Sequence, residues 1–328
     1  MSDMTPATMR VVEYDRHGGP EVLTVRTAPV PRPGPGEVLV RVAAASASRG
    51  EDLVRTGALN PLRGRTLPAR VGTDLAGTVA AVTEGVGFRV GQRVWGLMPH
   101  SAFGAMAGFV AVPGDQLARI PDGLDLVDAA AAPAVGTTAA HALRDLAKLT
   151  TGERLLVRGA SGGVGSVAVQ LGHAWGAHVT ALAGAANLRW VRDLGADVVL
   201  DHRRTAPDDL RDLAPFDVVL DLVGTELDTL YDLLSPGGRL VPLGVDPADP
   251  LGSLRDNAAT AEHHPGRAFP FSNDARTGEL TALATLVETG ALRVLVHERF
   301  TLDDVAEAYR RVEAGGVRGK IVVMVDPH

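Results

Sequence analysis

At 328 residues the chain exceeds the usual size of one domain, so two domains sharing a crevice are the first expectation. A composition of 45% hydrophobic and 22% charged residues suits a globular protein with a full core, and a net charge of −7 without a basic face or tail argues against a nucleic acid or an anionic membrane as partner. The absence of cysteine excludes disulfides, thiolate catalysis and cysteine-based zinc sites.

Residues 1–10 lack the apolar core of a secretory leader, and no run of about 18 apolar residues occurs. A cytoplasmic enzyme is therefore expected. The first third reads as short strands between turns: Val38–Val42 after a Pro- and Gly-rich stretch, then Gly77–Val82, Arg93–Trp95 and Gly108–Val112. Such spacing predicts a small β-rich, barrel-like unit.

From about residue 127 the rhythm changes. A helical pattern covers Val127–Leu146, interrupted near Pro133 and Gly136. Strands at Arg154–Arg158, Val179–Leu182, Val198–Leu200, Val218–Leu222 and Arg239–Leu243 then alternate with helices at Val164–Trp175, Leu188–Leu194 and Leu227–Leu234. The strands are continuous apolar runs, the pattern of parallel strands buried on both faces, and the alternation predicts an α/β fold with a doubly wound sheet. Residues 246–266, rich in Asp, Pro and Gly and carrying two adjacent histidines, read as an irregular break. Helices at 276–289 and 302–314 and a last strand, Lys320–Val325, close the chain.

The strand Leu155–Arg158 runs directly into Gly159-Ala160-Ser161-Gly162-Gly163-Val164-Gly165, and a helix follows. That setting marks a dinucleotide-binding turn. Ala160 takes the place of the first glycine at the tight turn, Gly162 lets backbone approach a pyrophosphate, and Gly165 lets the helix pack on the strand. The diphosphate would lie on the helix N-terminus with Ser161, Gly163 and Val164, where free N–H groups and the dipole favour negative charge.

NAD binders place an acid about 20 residues further on, on the ribose hydroxyl. Here Leu182-Ala183-Gly184-Ala185-Ala186-Asn187 offers none before Asp193, so nothing repels a 2′-phosphate. NADPH is favoured on that ground, with NADH not excluded. Gly184, Arg189 and Arg203 are the nearby candidates, although these arginines and Arg204 fit a solvated surface equally well.

Several ordered motifs carry a wider likeness: His17–Leu23, Gly72-Thr73-Asp74-Leu75-Ala76-Gly77-Thr78-Val79, Val90–Val94, Gly159–Gln170, Leu194-Gly195-Ala196-Asp197 and Arg318-Gly319-Lys320-Ile321-Val322. Together they resemble the medium-chain dehydrogenase/reductase superfamily, in its zinc-free quinone-oxidoreductase (zeta-crystallin-like) branch. The resemblance implies a GroES-like β-barrel domain built from residues 1–126 and 267–328, a Rossmann domain inserted over 127–266, an active site in the cleft between them, and a homodimer. The zinc ligands of other members fall at Ser48 and Thr73, neither a substitute for Cys or His, so no metal is expected.

What the family then implies is hydride transfer from the nicotinamide to a small electrophilic acceptor, a quinone or the β-carbon of an enone. Thr138, after Pro133-Ala134-Val135-Gly136, matches the threonine that lies against the nicotinamide. Gly244 matches the backbone approach to the ribose, and Lys320 the Gly-Lys near the C-terminus, as a cofactor contact or a strand-end charge.

The segment Ser48-Arg49-Gly50-Glu51-Asp52-Leu53 departs from the family's Asn-Pro-x-Asp. An arginine in an apolar quinone slot needs a partner. Arg49 is therefore expected to pair with Glu51 or Asp52, or else to meet a substrate. Ser48, Arg49, Leu53, His100, Phe103 and Met106 form the expected substrate-cleft set. His100 is a candidate proton donor, set against plain exposure on its loop, and His263-His264 reads as exposed loop. The leading reading is an NADPH-dependent reductase of quinones or activated alkenes. The alternatives are a family member turned to biosynthetic tailoring, in the oxidative direction, and a non-redox dinucleotide-binding protein.

Overall fold

The computed structural model describes residues 5–59, 66–99 and 102–325. Its contacts divide the chain into two compact units, one of Met1–Thr137, Asp274–Gly290 and Val294–His328, the other of Thr138–Asn273 and Ala291–Arg293. The divisions thus fall later than the changes of rhythm at 127 and 267.

The first unit is built on β-sheets. Thr8–Tyr14 lies antiparallel between Thr24–Pro29 and Ala69–Arg70. A larger sheet centres on Glu37–Ala47, which pairs with Asp74–Val82, Phe109–Pro113 and the C-terminal strand Lys320–Met324. The C-terminal segment returns because its apolar run Ile321–Val323 has an unpaired flank of that central strand to cover, and those residues are buried. The core gathers Val38, Val40, Leu75, Met106, Tyr309 and their neighbours. Among the expected cleft residues, Met106 is thus a core residue, because its backbone bridges Val12 and Val71 and turns the side chain inward.

The second unit is a parallel five-stranded sheet in the order Val198–Asp201, His178–Ala183, Arg154–Arg158, Phe216–Asp221, Leu234–Pro242. In chain order this reads third, second, first, fourth, fifth. The winding reverses between Arg154–Arg158 and Phe216–Asp221, and a doubly wound sheet opens its ligand crevice outside the carboxyl ends of the strands at that reversal. Leu155, Leu156, Val157, Val218, Val219 and Leu220 are wholly buried, as the continuous apolar runs require.

One element contradicts the sequence reading. Within the supposed break at 246–266 stands a helix, Pro250–His263, with Pro250 at its first position and Asp249 capping the Gly252 N–H at 2.9 Å. Its buried residues are Gly252, Ser253, Asn257 and Thr260. They recur at helical spacing but are small or polar, so hydrophobic periodicity does not reveal them. The two histidines sit at its C-terminal end, and His264 stacks on Tyr231 with ring centroids 3.5 Å apart instead of lying free in a loop.

Candidate functional site

In the second unit, Arg154–Arg158 ends in a turn at Gly159, whose φ of +79° favours glycine. The tight-turn role assigned to Ala160 therefore falls to Gly159, while Ala160 is buried with its N–H on the Leu182 carbonyl. The helix Gly163–Ala174 follows, with Gly162 as N-cap and, among the described residues, no side-chain cap on its first N–H groups. Gly159, Gly162 and Gly165 serve different ends. A Cβ at Gly165 would stand 2.2 Å from the Gly159 oxygen, so packing of helix on strand demands glycine there. At Gly162 a Cβ would meet only that same oxygen, at an ordinary 3.5 Å, and φ is −73°. Neither packing nor backbone strain requires glycine at 162. Ser161, Gly162, Gly163 and Val164 are half-exposed around this helix end. An uncapped N-terminus with room in front fits the diphosphate of a dinucleotide.

Beyond the neighbouring strand His178–Ala183, Gly184 leads into a short turn, and a Cβ there would lie 3.5 Å from the His202 ring. Arg189, His202, Arg203 and Arg204 are exposed around this strand end. The carboxylate of Asp201, on the next strand, accepts the Arg203 backbone N–H at 3.1 Å.

Across the reversal of the sheet the carboxyl ends carry charge. Arg158 and Asp221 are register partners on adjacent strands, and Arg158 Nη1 donates to Asp221 Oδ1 at 3.0 Å and to the Thr225 oxygen at 2.8 Å. The Asp221 side chain accepts the Gly224 N–H at 2.8 Å, and its main-chain oxygen accepts those of Leu243 and Gly244. Burial pushes the Asp221 carboxyl up, against the pull of Arg158 and the Gly224 and Val223 amides. Gly244 packs so closely on Val223–Gly224 that a Cβ would stand 2.1 Å from the Gly224 nitrogen. From the helix Pro250–His263, Ser253 donates to the Gly224 oxygen and Asn257 to the Gly244 oxygen, both at 3.2 Å. Thr138 is half-exposed on Pro133–Ala140, whereas Thr137 is turned back on the Pro133 carbonyl at 2.6 Å.

The first unit holds a buried polar cluster. Glu51 accepts from the hydroxyls of Thr73, at 2.6 Å, and Tyr309. Asp74 accepts from Ser46 at 2.5 Å and from the Ala134 N–H at 2.6 Å, and Lys320 Nζ lies 3.5 Å from it. Burial drives the Glu51 carboxyl up, opposed by the two hydroxyls and Lys320, and drives the Tyr309 hydroxyl up as well. Lys320, taken from sequence as a cofactor candidate, is 5% exposed with its charge turned to Asp74.

The expected partnership of Arg49 with Glu51 or Asp52 is overturned. Arg49 is exposed and, among the described residues, reaches the carbonyls of Val312 and Glu313, at 3.5 and 3.4 Å. Both acids point inward from the helix Arg49–Arg55, and Asp52 pairs with the fully buried Arg55 at 3.1 Å, which also binds Glu313 at 2.6 Å. Ser48, half-buried, precedes that helix without capping it. His100 lies outside the described residues. Thr73, at the place of a zinc ligand in other members, is a hydroxyl committed to Glu51, and no group of three metal-ligating side chains occurs among the described residues. That donor set does not fit a catalytic zinc. Arg158, Asp221 and Asn257 escaped the sequence reading. The first two had a signal, a charge ending each of two apolar strands.

Fold and turn together define a dinucleotide-dependent oxidoreductase with a GroES-like domain and a Rossmann domain. Residues 34–122 match the family model "Alcohol dehydrogenase GroES-like domain", and 194–323 match "Zinc-binding dehydrogenase". The human protein named "NAD(P)H oxidoreductase RTN4IP1, mitochondrial" is 33% identical over 326 residues, covering 89% of this chain and 82% of that one. The trans-enoyl reductase pgmF of Aspergillus terreus is 30% identical over 356 residues, covering 99% of each. The solved structure of the quinone oxidoreductase from Coxiella burnetii superposes with a TM-score of 0.84 at 28% identity, covering 97% of this chain and all of that one. The chain belongs to the medium-chain dehydrogenase/reductase superfamily and is an NAD(P)H-dependent oxidoreductase.

Proposed function

We propose that the protein reduces quinones or activated alkenes with NADPH and without zinc. The observation that carries the cofactor half is Gly162, a glycine that neither packing nor φ requires, at an uncapped helix N-terminus. Ser161, Gly162, Gly163, Val164 and Gly165 would receive the diphosphate on backbone N–H groups. Gly184 leaves the strand end open to the adenosine ribose, and Arg189 and Arg203 supply positive charge for a 2′-phosphate. Gly244 brings bare backbone to the nicotinamide half, with Thr138 beside it. When bound, the cofactor supplies a hydride.

The acceptor class rests on the mismatch of Thr73 and Ser48 with zinc and on the names borne by the relatives. Quinones and enones need little Lewis-acid help to accept a hydride. A proton must follow, and His100 is its proposed donor to an enolate. The enzyme is proposed to work as a homodimer.

The test is consumption of NADPH and NADH, followed by absorbance, against a panel of quinones and enones, with bound zinc measured in the same preparation. Turnover of at least one class, preferring NADPH and undiminished by chelation, is expected. Tight dinucleotide binding without turnover of any acceptor would refute the substrate class.

A further inference from the structure

We propose that Arg158 is a positioning residue for the cofactor, an ionic clasp across the reversal of the sheet that holds Leu222–Glu226 and Gly244 in their binding shape. This rests on the dinucleotide reading above and adds to it a residue outside the glycine turn. Four observations carry it. Arg158 and Asp221 close the two strands that flank the reversal, and both are buried, at 6% and 0% exposure. A guanidinium so placed needs several acceptors, and Arg158 spreads over Asp221 Oδ1, the Thr225 oxygen and hydroxyl, and Glu226 Oε2 at 2.8–3.4 Å. Apart from Asp221, which ends its strand, those acceptors belong to one short loop, in which Glu226 stands at φ +60°, a conformation that costs a non-glycine residue and persists only under outside restraint. Finally, Asp221 passes the restraint on, through its side chain to Gly224 and through its carbonyl to Gly244.

Removing the guanidinium leaves Asp221 buried with only amide donors, so its carboxyl takes up a proton or turns away, and either response loosens Gly224 and Gly244. The adenosine half of the cofactor, which the strand His178–Ala183 would receive, does not depend on this loop. A fault of positioning therefore discriminates between the halves of the ligand, and a fault of folding does not.

The experiment compares Kd for NADPH and for 2′,5′-ADP, which lacks the nicotinamide half, in the full-length wild type, Arg158→Gln and Arg158→Lys, with thermal melts of each. In Arg158→Gln the NADPH Kd should rise about tenfold or more while that for 2′,5′-ADP changes less than about twofold, and Arg158→Lys, with the charge but not the fork, should fall between. A folded Arg158→Gln with unchanged NADPH affinity, or with both ligands weakened alike, overturns the proposal. Should Arg158→Gln fail to fold, Arg158→Lys decides by the same comparison: a selective loss for NADPH supports the clasp, and no selectivity overturns it. A wild type that binds neither NADPH nor NADH rejects the dinucleotide reading itself, a different result from either.

Discussion

Asn257 donates its side-chain amide to the Gly244 carbonyl at 3.2 Å, tying the helix Pro250–His263 to the glycine that follows the strand Leu234–Pro242. The bond is buried, and the Asn257 Oδ1 atom finds no partner among the described residues. Asn257→Ala should therefore cost only about 1–2 kcal/mol of stability, the buried Gly244 carbonyl left without its donor being the main loss. It should weaken NADPH binding severalfold through Gly244. Chemical denaturation and fluorescence titration measure the two, and an unchanged Kd in a destabilised variant would confine Asn257 to a structural role.

That helix also shows where the sequence stops being legible. The strands at 154–158, 179–182, 198–200 and 218–222 were readable because parallel strands buried on both faces are apolar throughout, and the turn at Gly159–Gly165 because glycines between strand and helix have few uses. Pro250–His263 buries Gly252, Ser253, Asn257 and Thr260, a stripe of small and polar residues in which Ser253 and Asn257 hydrogen-bond the Gly224 and Gly244 carbonyls outside the helix. No local pattern encodes such partners. Arg49 failed for a related reason: Glu51, two positions on, faces another side of the helix, and Asp52, three positions from both arginines, is turned inward to the buried Arg55.

The glycine turn yields a paired prediction. Gly162→Val introduces a side chain where the protein itself leaves ordinary contact distance, so the fold should hold with a melting temperature near that of the wild type. Its branches would occupy the space before the helix N-terminus, and NADPH affinity should fall by about tenfold or more, about 1.4 kcal/mol at least. Gly165→Ala should do the reverse first: its Cβ collides with the Gly159 oxygen, and overpacking of that kind costs about 1–3 kcal/mol. Melting curves and dinucleotide titrations of both variants check this. Undiminished NADPH binding by folded Gly162→Val would show that the diphosphate lies elsewhere.

Coenzyme preference is tested at Arg203, exposed beyond the strand Val198–Asp201 with its backbone held by Asp201. A charge-assisted bond from arginine to phosphate is worth about 1.5–3 kcal/mol. Arg203→Ala should then raise the NADPH Kd about tenfold and leave the NADH Kd nearly unchanged, with Arg189→Ala acting in the same sense. Equal, small effects on both coenzymes would return these arginines to the solvated surface.

The buried acid Asp52 makes stability depend on pH in a direction opposite to most carboxylates. Burial pushes its carboxyl up to about 7, with Glu313 and Glu51 adding to the push and Arg55 at 3.1 Å opposing it. In the unfolded chain the group ionises near the ordinary value of about 3.9. Between these values the folded protein holds a proton that the unfolded chain releases, so folding takes up a proton and stability falls as pH rises through the window. The contribution is complete below about pH 4 and lost above about 7, and its span is at most a few kcal/mol. Asp52→Asn removes the titration while keeping an acceptor for Arg55, which stays paired with Glu313. Denaturation free energies taken from pH 4 to 8 should decline less steeply in Asp52→Asn than in the wild type, and the two curves should run parallel above about pH 8. Parallel curves across the whole range would mean that Asp52 is ionised in the fold at all these pH values, with Arg55 outweighing its burial.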